Sequence, residues 1–211
     1  MKTDLELARY FNDRNIKWTT RGEDTQFAFI RESDENILIF DSSNSKLDWY
    51  NNLQFFKKPY KTMDVTFYVH TGFLKCWNLV KEDIINYVSE LENITIVGWS
   101  YGGAMATLCT EEIWYQFPHL RDKMHTVTFG APRVFCRYNL DKIQERFSNM
   151  TLYKNGSDIV TCLPLEIMGY KHVKLQTMIG DSPKFLEYFK PYDYHYIDRY
   201  IESLEELKWI R

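Results

Sequence analysis

The sequence predicts an α/β protein with a mostly parallel central sheet flanked by helices. Three observations carry that prediction. First, Ile94-Thr95-Ile96-Val97 is a run of apolar and β-branched residues suited to a strand covered on both faces. It enters a glycine-rich turn, Gly98-Trp99-Ser100-Tyr101-Gly102, followed by Gly103, Ala104 and Ala106, small enough for a following helix to pack close to the sheet. Second, strand-like and helix-like segments largely alternate after an N-terminal hairpin, as parallel strands joined by crossover helices require. Third, 211 residues with 45% hydrophobic and 26% charged content are enough for one substantial core, predicting a single domain over 1–211.

In order along the chain, residues 4–12 read as a short helix with Leu5, Ala8, Tyr10 and Phe11 on its apolar side. Residues 25–30 and 36–40 read as strands of a hairpin around Glu32-Ser33-Asp34-Glu35. A polar loop over 42–45 precedes a helix predicted over 46–57, which Lys58-Pro59 terminates. Residues 64–70 form the next strand. Phe73, Trp77, Val80, Ile84, Val88 and Leu91 then keep helical spacing to about Glu92. The strand over 94–97 and its helix end near Pro118. Another strand spans 125–129, closed by Gly130-Ala131-Pro132, and a helical stretch spans 139–147. A strand at 150–154 ends in the turn Asn155-Gly156-Ser157-Asp158. A last strand is predicted at 171–176 and a C-terminal helix at 194–207.

The net charge of −3 is small, so nothing in it suggests nucleic acid or an acidic membrane as the main partner. Residues 1–13 are charged throughout and do not read as a signal peptide, and no stretch reads as a transmembrane segment. The four cysteines, Cys76, Cys109, Cys136 and Cys162, lack a C-x-x-C pair and metal-ligand spacing. Free thiols and a cytoplasmic location are the expectation, with no metal and no cofactor.

Chemistry centres on Ser100. Gly98-Trp99-Ser100-Tyr101-Gly102 fits G-x-S-x-G, the strand-to-helix turn that exposes a nucleophilic serine. The helix N-terminus that follows favours negative charge, such as an oxyanion forming at Ser100. Such a serine needs a base, usually histidine, and a carboxylate to orient it. In the fold built on this turn the chain order is serine, acid, histidine. Asp158 stands at the right place, although Asn155-Gly156-Ser157-Asp158 is also plain turn chemistry. Two histidines follow it, His172 within a predicted strand and His195 at the start of the last helix. Order alone favours His195 and leaves His172 open.

Over residues 5–201 the chain resembles the fungal-type, or class 3, lipases of the α/β-hydrolase fold. Gly98-Trp99-Ser100-Tyr101-Gly102-Gly103-Ala104 resembles their G-H-S-L-G-G-A, and Thr128-Phe129-Gly130-Ala131-Pro132-Arg133-Val134 resembles T-F-G-A-P-R-V. Asn155 to Val160, with Leu163-Pro164 downstream, is similar to N-x-x-D-x-V-P-x-x-P. Gly169-Tyr170-Lys171-His172-Val173 is similar to G-Y-x-H-x-G, Val69-His70-Thr71-Gly72-Phe73 to V-H-x-G-F, and His195 to Tyr200 to H-x-x-x-x-Y. The resemblance implies Ser100 as nucleophile, Asp158 as orienting acid and His195 as base, with His172 lining the site. It also implies two oxyanion donors, the backbone N–H of Tyr101 and Ser43. Where the family has F-R-G-T or F-R-G-S, this chain has Phe40-Asp41-Ser42-Ser43. Trp99 replaces the family's histidine, predicting a narrowed acyl site or simple packing.

The reading is a serine ester hydrolase acting on lipid or another apolar ester. An acyltransferase with the same triad, and a catalytically weak lipid-binding module, are the rivals. On the predicted helix over 46–57, Trp49, Tyr50, Leu53 and Phe56 share one face, while Leu47 and Phe55 point elsewhere. The excess apolar surface predicts either a core helix or a small lid. In the lid reading, Trp49 and Phe55 contact substrate or, transiently, a lipid surface.

Overall fold

A computed structural model describes residues 2–22, 25–41, 56–62, 65–181 and 192–210, the last three without their side chains. The predicted helix over 46–57, with Trp49 and Phe55, therefore lies outside the described residues except at its end, as does Ser43.

The main sheet has seven strands: β1 (Thr19–Arg21), β2 (Thr25–Glu32), β3 (Glu35–Phe40), β6 (Ile94–Trp99), β7 (Met124–Phe129), β9 (Met150–Asn155) and β11 (Thr177–Ile179), in that spatial order. The first three form the predicted antiparallel hairpin and its extension. From β3 onward every neighbouring pair is parallel. The fold is that of an α/β-hydrolase, with a mainly parallel sheet between helices.

Helices α2 (Thr71–Val88) and α3 (Tyr101–Gln116) cover one face, and α1 (Asp4–Arg9) and α4 (Ile197–Ile210) the other. Alternating side chains supply the two cores. Leu38, Phe40 and Ile96 pack with Trp77, Ile84 and Met105, whereas Ile37, Ile39 and Val97 pack with Leu7, Tyr200 and Leu204. A strand buried on both faces has no polar side, which is why β6 reads as one apolar run. Helix α3 is buried almost all round, from Tyr101 to Ile113. Its two acidic residues are paired there, Glu111 with Arg146 and Glu112 with Lys81 at 2.7 Å.

The structure corrects the sequence reading in three places. Residues 57–62, predicted as helix end and breaker, form strand β4 (Lys57–Thr62), which pairs antiparallel with β5 (Val65–His70). These strands join β8 (Phe135–Cys136) and β10 (Tyr170–Lys171) in a second sheet, in the order β10-β8-β5-β4. Pro59 is tolerated because β4 is an edge strand. The strand predicted at 171–176 lies instead at Thr177–Ile179, the stretch that pairs with Tyr153–Asn155. The last helix begins at Ile197 rather than 194, while the stretch expected to be helical at 139–147 is a 3₁₀ helix over Leu140–Phe147.

No helix among the described residues is long and apolar enough to cross a membrane. The four cysteines are free thiols.

Candidate active site

Ser100 sits where β6 passes into α3, with φ 56° and ψ −124°, a backbone conformation rare for any residue but glycine. Its N–H donates to the Phe129 carbonyl at 2.9 Å, tying the turn to the neighbouring strand. Strain at a single residue persists only where its surroundings fix it, and such residues cluster at functional sites. Gly102 shows how tightly this turn is built: a Cβ there would collide with the carbonyl oxygen of Phe40. The end of β3 thus crosses directly over the first turn of α3.

Three side chains from far apart in sequence meet here. His195 Nε2 lies 2.7 Å from Ser100 Oγ, and His195 Nδ1 lies 2.8 Å from Asp158 Oδ2. The strand β9 delivers Asp158 in a turn closed by its own N–H donating to Asn155 O at 2.9 Å. The carboxylate is wholly buried, at 0% exposure. It accepts from the Val160 N–H at 2.9 Å on Oδ1 and from the Tyr200 hydroxyl at 2.6 Å on Oδ2. With His195 Nδ1–H as the third donor, the buried charge has its hydrogen bonds filled. Tyr200 comes from α4 and also accepts the Asn155 N–H at 3.1 Å.

His195 occupies a short 3₁₀ turn, Asp193–His195, ahead of α4. The turn is held from two sides. Asn155 Nδ2 donates to the Tyr194 carbonyl at 3.3 Å, and Trp99 Nε1 donates to the His195 carbonyl at 3.0 Å. Trp99, expected to narrow an acyl site or to pack, thus anchors the histidine turn while it packs against Phe11.

His172 stands apart from the Ser100–His195–Asp158 chain. It shares a 2.8 Å hydrogen bond between Nε2 and the Thr161 carbonyl, and Thr161 Oγ1 donates to Asp158 O at 2.9 Å. It therefore buttresses the Asp158 turn, a structural contact where substrate contact was expected. Burial pushes its imidazole down to about 4. His70 accepts the Phe73 N–H on Nδ1 as the N-cap of α2, and burial likewise pushes it down to about 4. Sequence reasoning missed Trp99 as an anchor and Gly130 as a neighbour of the triad. A Cβ on Gly130 would lie 2.8 Å from Asp158 Oδ2 and 2.9 Å from His195 Nδ1.

Comparison with known proteins agrees with this geometry. The family described as Lipase (class 3) matches residues 37–168, more than half of the chain. The chain is 27% identical to a lipase of Rhizomucor miehei over 181 residues, covering 78% of this chain and 48% of that protein. It is also 27% identical to secreted mono- and diacylglycerol lipase 1 of Fusarium solani over 150 residues, covering 67% of this chain and 43% of the relative. The chain therefore spans about half the length of these curated relatives. Among solved structures, lipase II from Rhizopus niveus superposes with a TM-score of 0.69 at 21% identity, covering 79% of this chain and 66% of that one. That likeness carries the fold.

The relatives also correct the expected location. Those from Fusarium solani and Malassezia globosa are named as secreted lipases, which points away from the cytoplasm. The cysteines were a weak guide, because a buried free thiol behaves as a small apolar residue in any compartment.

Proposed function

This chain belongs to the class 3 lipase family, and on that premise we propose that it is a serine ester hydrolase that cleaves lipid esters through an acyl-enzyme on Ser100. The observation that carries the proposal is the continuous chain of contacts at 2.7 and 2.8 Å from Ser100 Oγ through His195 to Asp158. Acylglycerols are the proposed substrates, by analogy with the mono- and diacylglycerol lipases among the relatives.

In the proposed reaction His195 Nε2 takes the Ser100 proton as Oγ attacks the ester carbonyl. Asp158 holds Nδ1–H, and its buried carboxylate stabilises the imidazolium. The tetrahedral oxyanion is proposed to sit on the Tyr101 N–H and on Ser43, each donor supplying roughly 10²–10³ in rate. His195 then protonates the leaving alcohol, and a water deprotonated by His195 releases the acid. A triad of this kind forms the catalytic centre of one structural neighbour, a triacylglycerol lipase.

The test is hydrolysis of an acylglycerol panel by wild type and Ser100→Ala, with fluorophosphonate labelling of both. Loss of a triad serine costs about 10⁶ in kcat. Wild type labels and hydrolyses, and the variant does neither. A purified Ser100→Ala protein retaining activity within about tenfold of wild type would sink the proposal.

A further inference from the structure

The outer face of the small sheet carries a cavity of about 540 Å³, lined by Lys57, Tyr68, Arg137, Tyr138, Ile167 and Met168 among others. None of its lining residues belongs to the triad. Two features set it apart from an ordinary surface hollow.

The first is charge. A Cβ placed on Gly169 would lie 2.8 Å from Lys57 Nζ and 3.9 Å from Arg137 Nε, so both cations converge on one point. No carboxylate lines the cavity, and neither cation is paired with one among the described residues. The nearest acid in sequence, Glu166, is taken by Arg133 at 2.9 Å. Two like charges held together repel unless an anion joins them, and this pair stands on a chain whose net charge is −3. The Lys57 ammonium also lies over the Tyr170 ring at 5.6 Å.

The second feature is the rim. Ile167 is 88% exposed and Tyr138 60%, and both line the cavity. Large apolar side chains around a basic hollow match the layered chemistry of an anionic lipid surface, with phosphate at the headgroups and hydrocarbon below.

We propose that this cavity docks the protein on an anionic phospholipid surface, with a headgroup phosphate between Lys57 and Arg137 and with Ile167 and Tyr138 inserted around it. The proposal rests on the hydrolase reading only in that lipid is the expected substrate phase. The site itself is separate from Ser100, so the surface would be held by one face while the triad works on a neighbouring ester.

Vesicle co-sedimentation tests it. The probes are phosphatidylcholine vesicles, with and without phosphatidylglycerol, at low and raised salt. Wild type partitions onto the anionic vesicles, and salt weakens that binding. Lys57→Gln/Arg137→Gln lowers the partition by about tenfold, since each basic residue near such a surface contributes several-fold. Ile167→Ser lowers it as well. Both variants keep wild-type melting temperatures and wild-type hydrolysis of a soluble short-chain ester. Equal partition of wild type and the double variant overturns the docking site, and so does equal binding to neutral and anionic vesicles. A wild type that binds anionic vesicles through these residues yet hydrolyses no ester leaves the docking site standing and removes the hydrolase reading instead.

Discussion

The indole N–H of Trp99 donates to the backbone carbonyl of His195 at 3.0 Å. The residue immediately before the nucleophile therefore holds the turn that carries the base, across 96 positions of sequence. Ser100 and His195 are brought to 2.7 Å by two routes, through Asp158 on one side of the imidazole and through Trp99 behind it.

The first prediction follows from that tie. Trp99→Phe keeps an aromatic ring near His195, where the two rings now sit 6.0 Å apart, but removes the N–H. A hydrogen bond of this kind contributes about 1 kcal/mol net, and the histidine turn loses that side-chain anchor. Because small misplacements of reacting groups are costly, kcat on a soluble ester falls about tenfold while KM changes little. Steady-state kinetics on a short-chain ester measure both. An unchanged kcat would mean that Trp99 only packs.

The second prediction concerns pH and stability. Burial holds His172 at about 4 in the folded protein, against an ordinary histidine value of 6.5. Arg133 and Lys154 push in the same direction, while the Thr161 carbonyl and Glu166 oppose it. The unfolded chain therefore binds the extra proton first as pH falls. Stability from the neutral His172 is complete above about pH 6.5 and is lost progressively down to about pH 4. His70, also held at about 4 by burial, adds to the same slope. The melting temperature drops across this window. His172→Gln, which can still donate to Thr161 O, drops less than wild type by about 2–5 °C. Parallel melting curves for the two proteins across pH 4–7 would show that His172 does not titrate as described.

The elements legible in the sequence are those whose signals are local. β6, its turn and α3 announce themselves because a doubly covered strand, a tight serine turn and a closely packed helix each constrain residue type within a few positions. Asp158 and His195 were singled out through their order and motifs, and in the structure His195 lies beside Ser100 and Asp158 beside His195. β4 was not legible. Lys57-Lys58-Pro59-Tyr60-Lys61-Thr62 contains three lysines and a proline, which read as a breaker, yet lysine and proline are what an edge strand tolerates. The strand predicted at 171–176 was misplaced: Leu175 is 91% exposed, and the ladder to β9 begins only at Thr177. The Trp99 contact left no trace because its acceptor is a backbone carbonyl, which every residue has.

The last prediction concerns Gly130, at the end of β7. Its φ of +65° is one that glycine adopts at little cost. Its N–H donates to Tyr153 O at 3.1 Å, so β9 holds it in place. The missing side chain matters more than the dihedral. A Cβ would stand 2.8 Å from Asp158 Oδ2 and 2.9 Å from both Cε1 and Nδ1 of His195, closer than such atoms approach. Asp158 cannot retreat easily, because Tyr200 and the Val160 N–H hold both its oxygens. His195 is the partner that moves, and it moves away from Ser100. Gly130→Ala therefore lowers kcat by about 10²-fold or more through misplacement of the base. The strained dihedral adds a stability cost of about 1 kcal/mol, too small to unfold a domain of this size. Circular dichroism and the melting temperature should report a folded protein, and fluorophosphonate labelling of Ser100 should slow in step with kcat. Labelling at the wild-type rate in Gly130→Ala would show that the imidazole can shift without leaving the serine, and would remove Gly130 from the set of residues that position the triad.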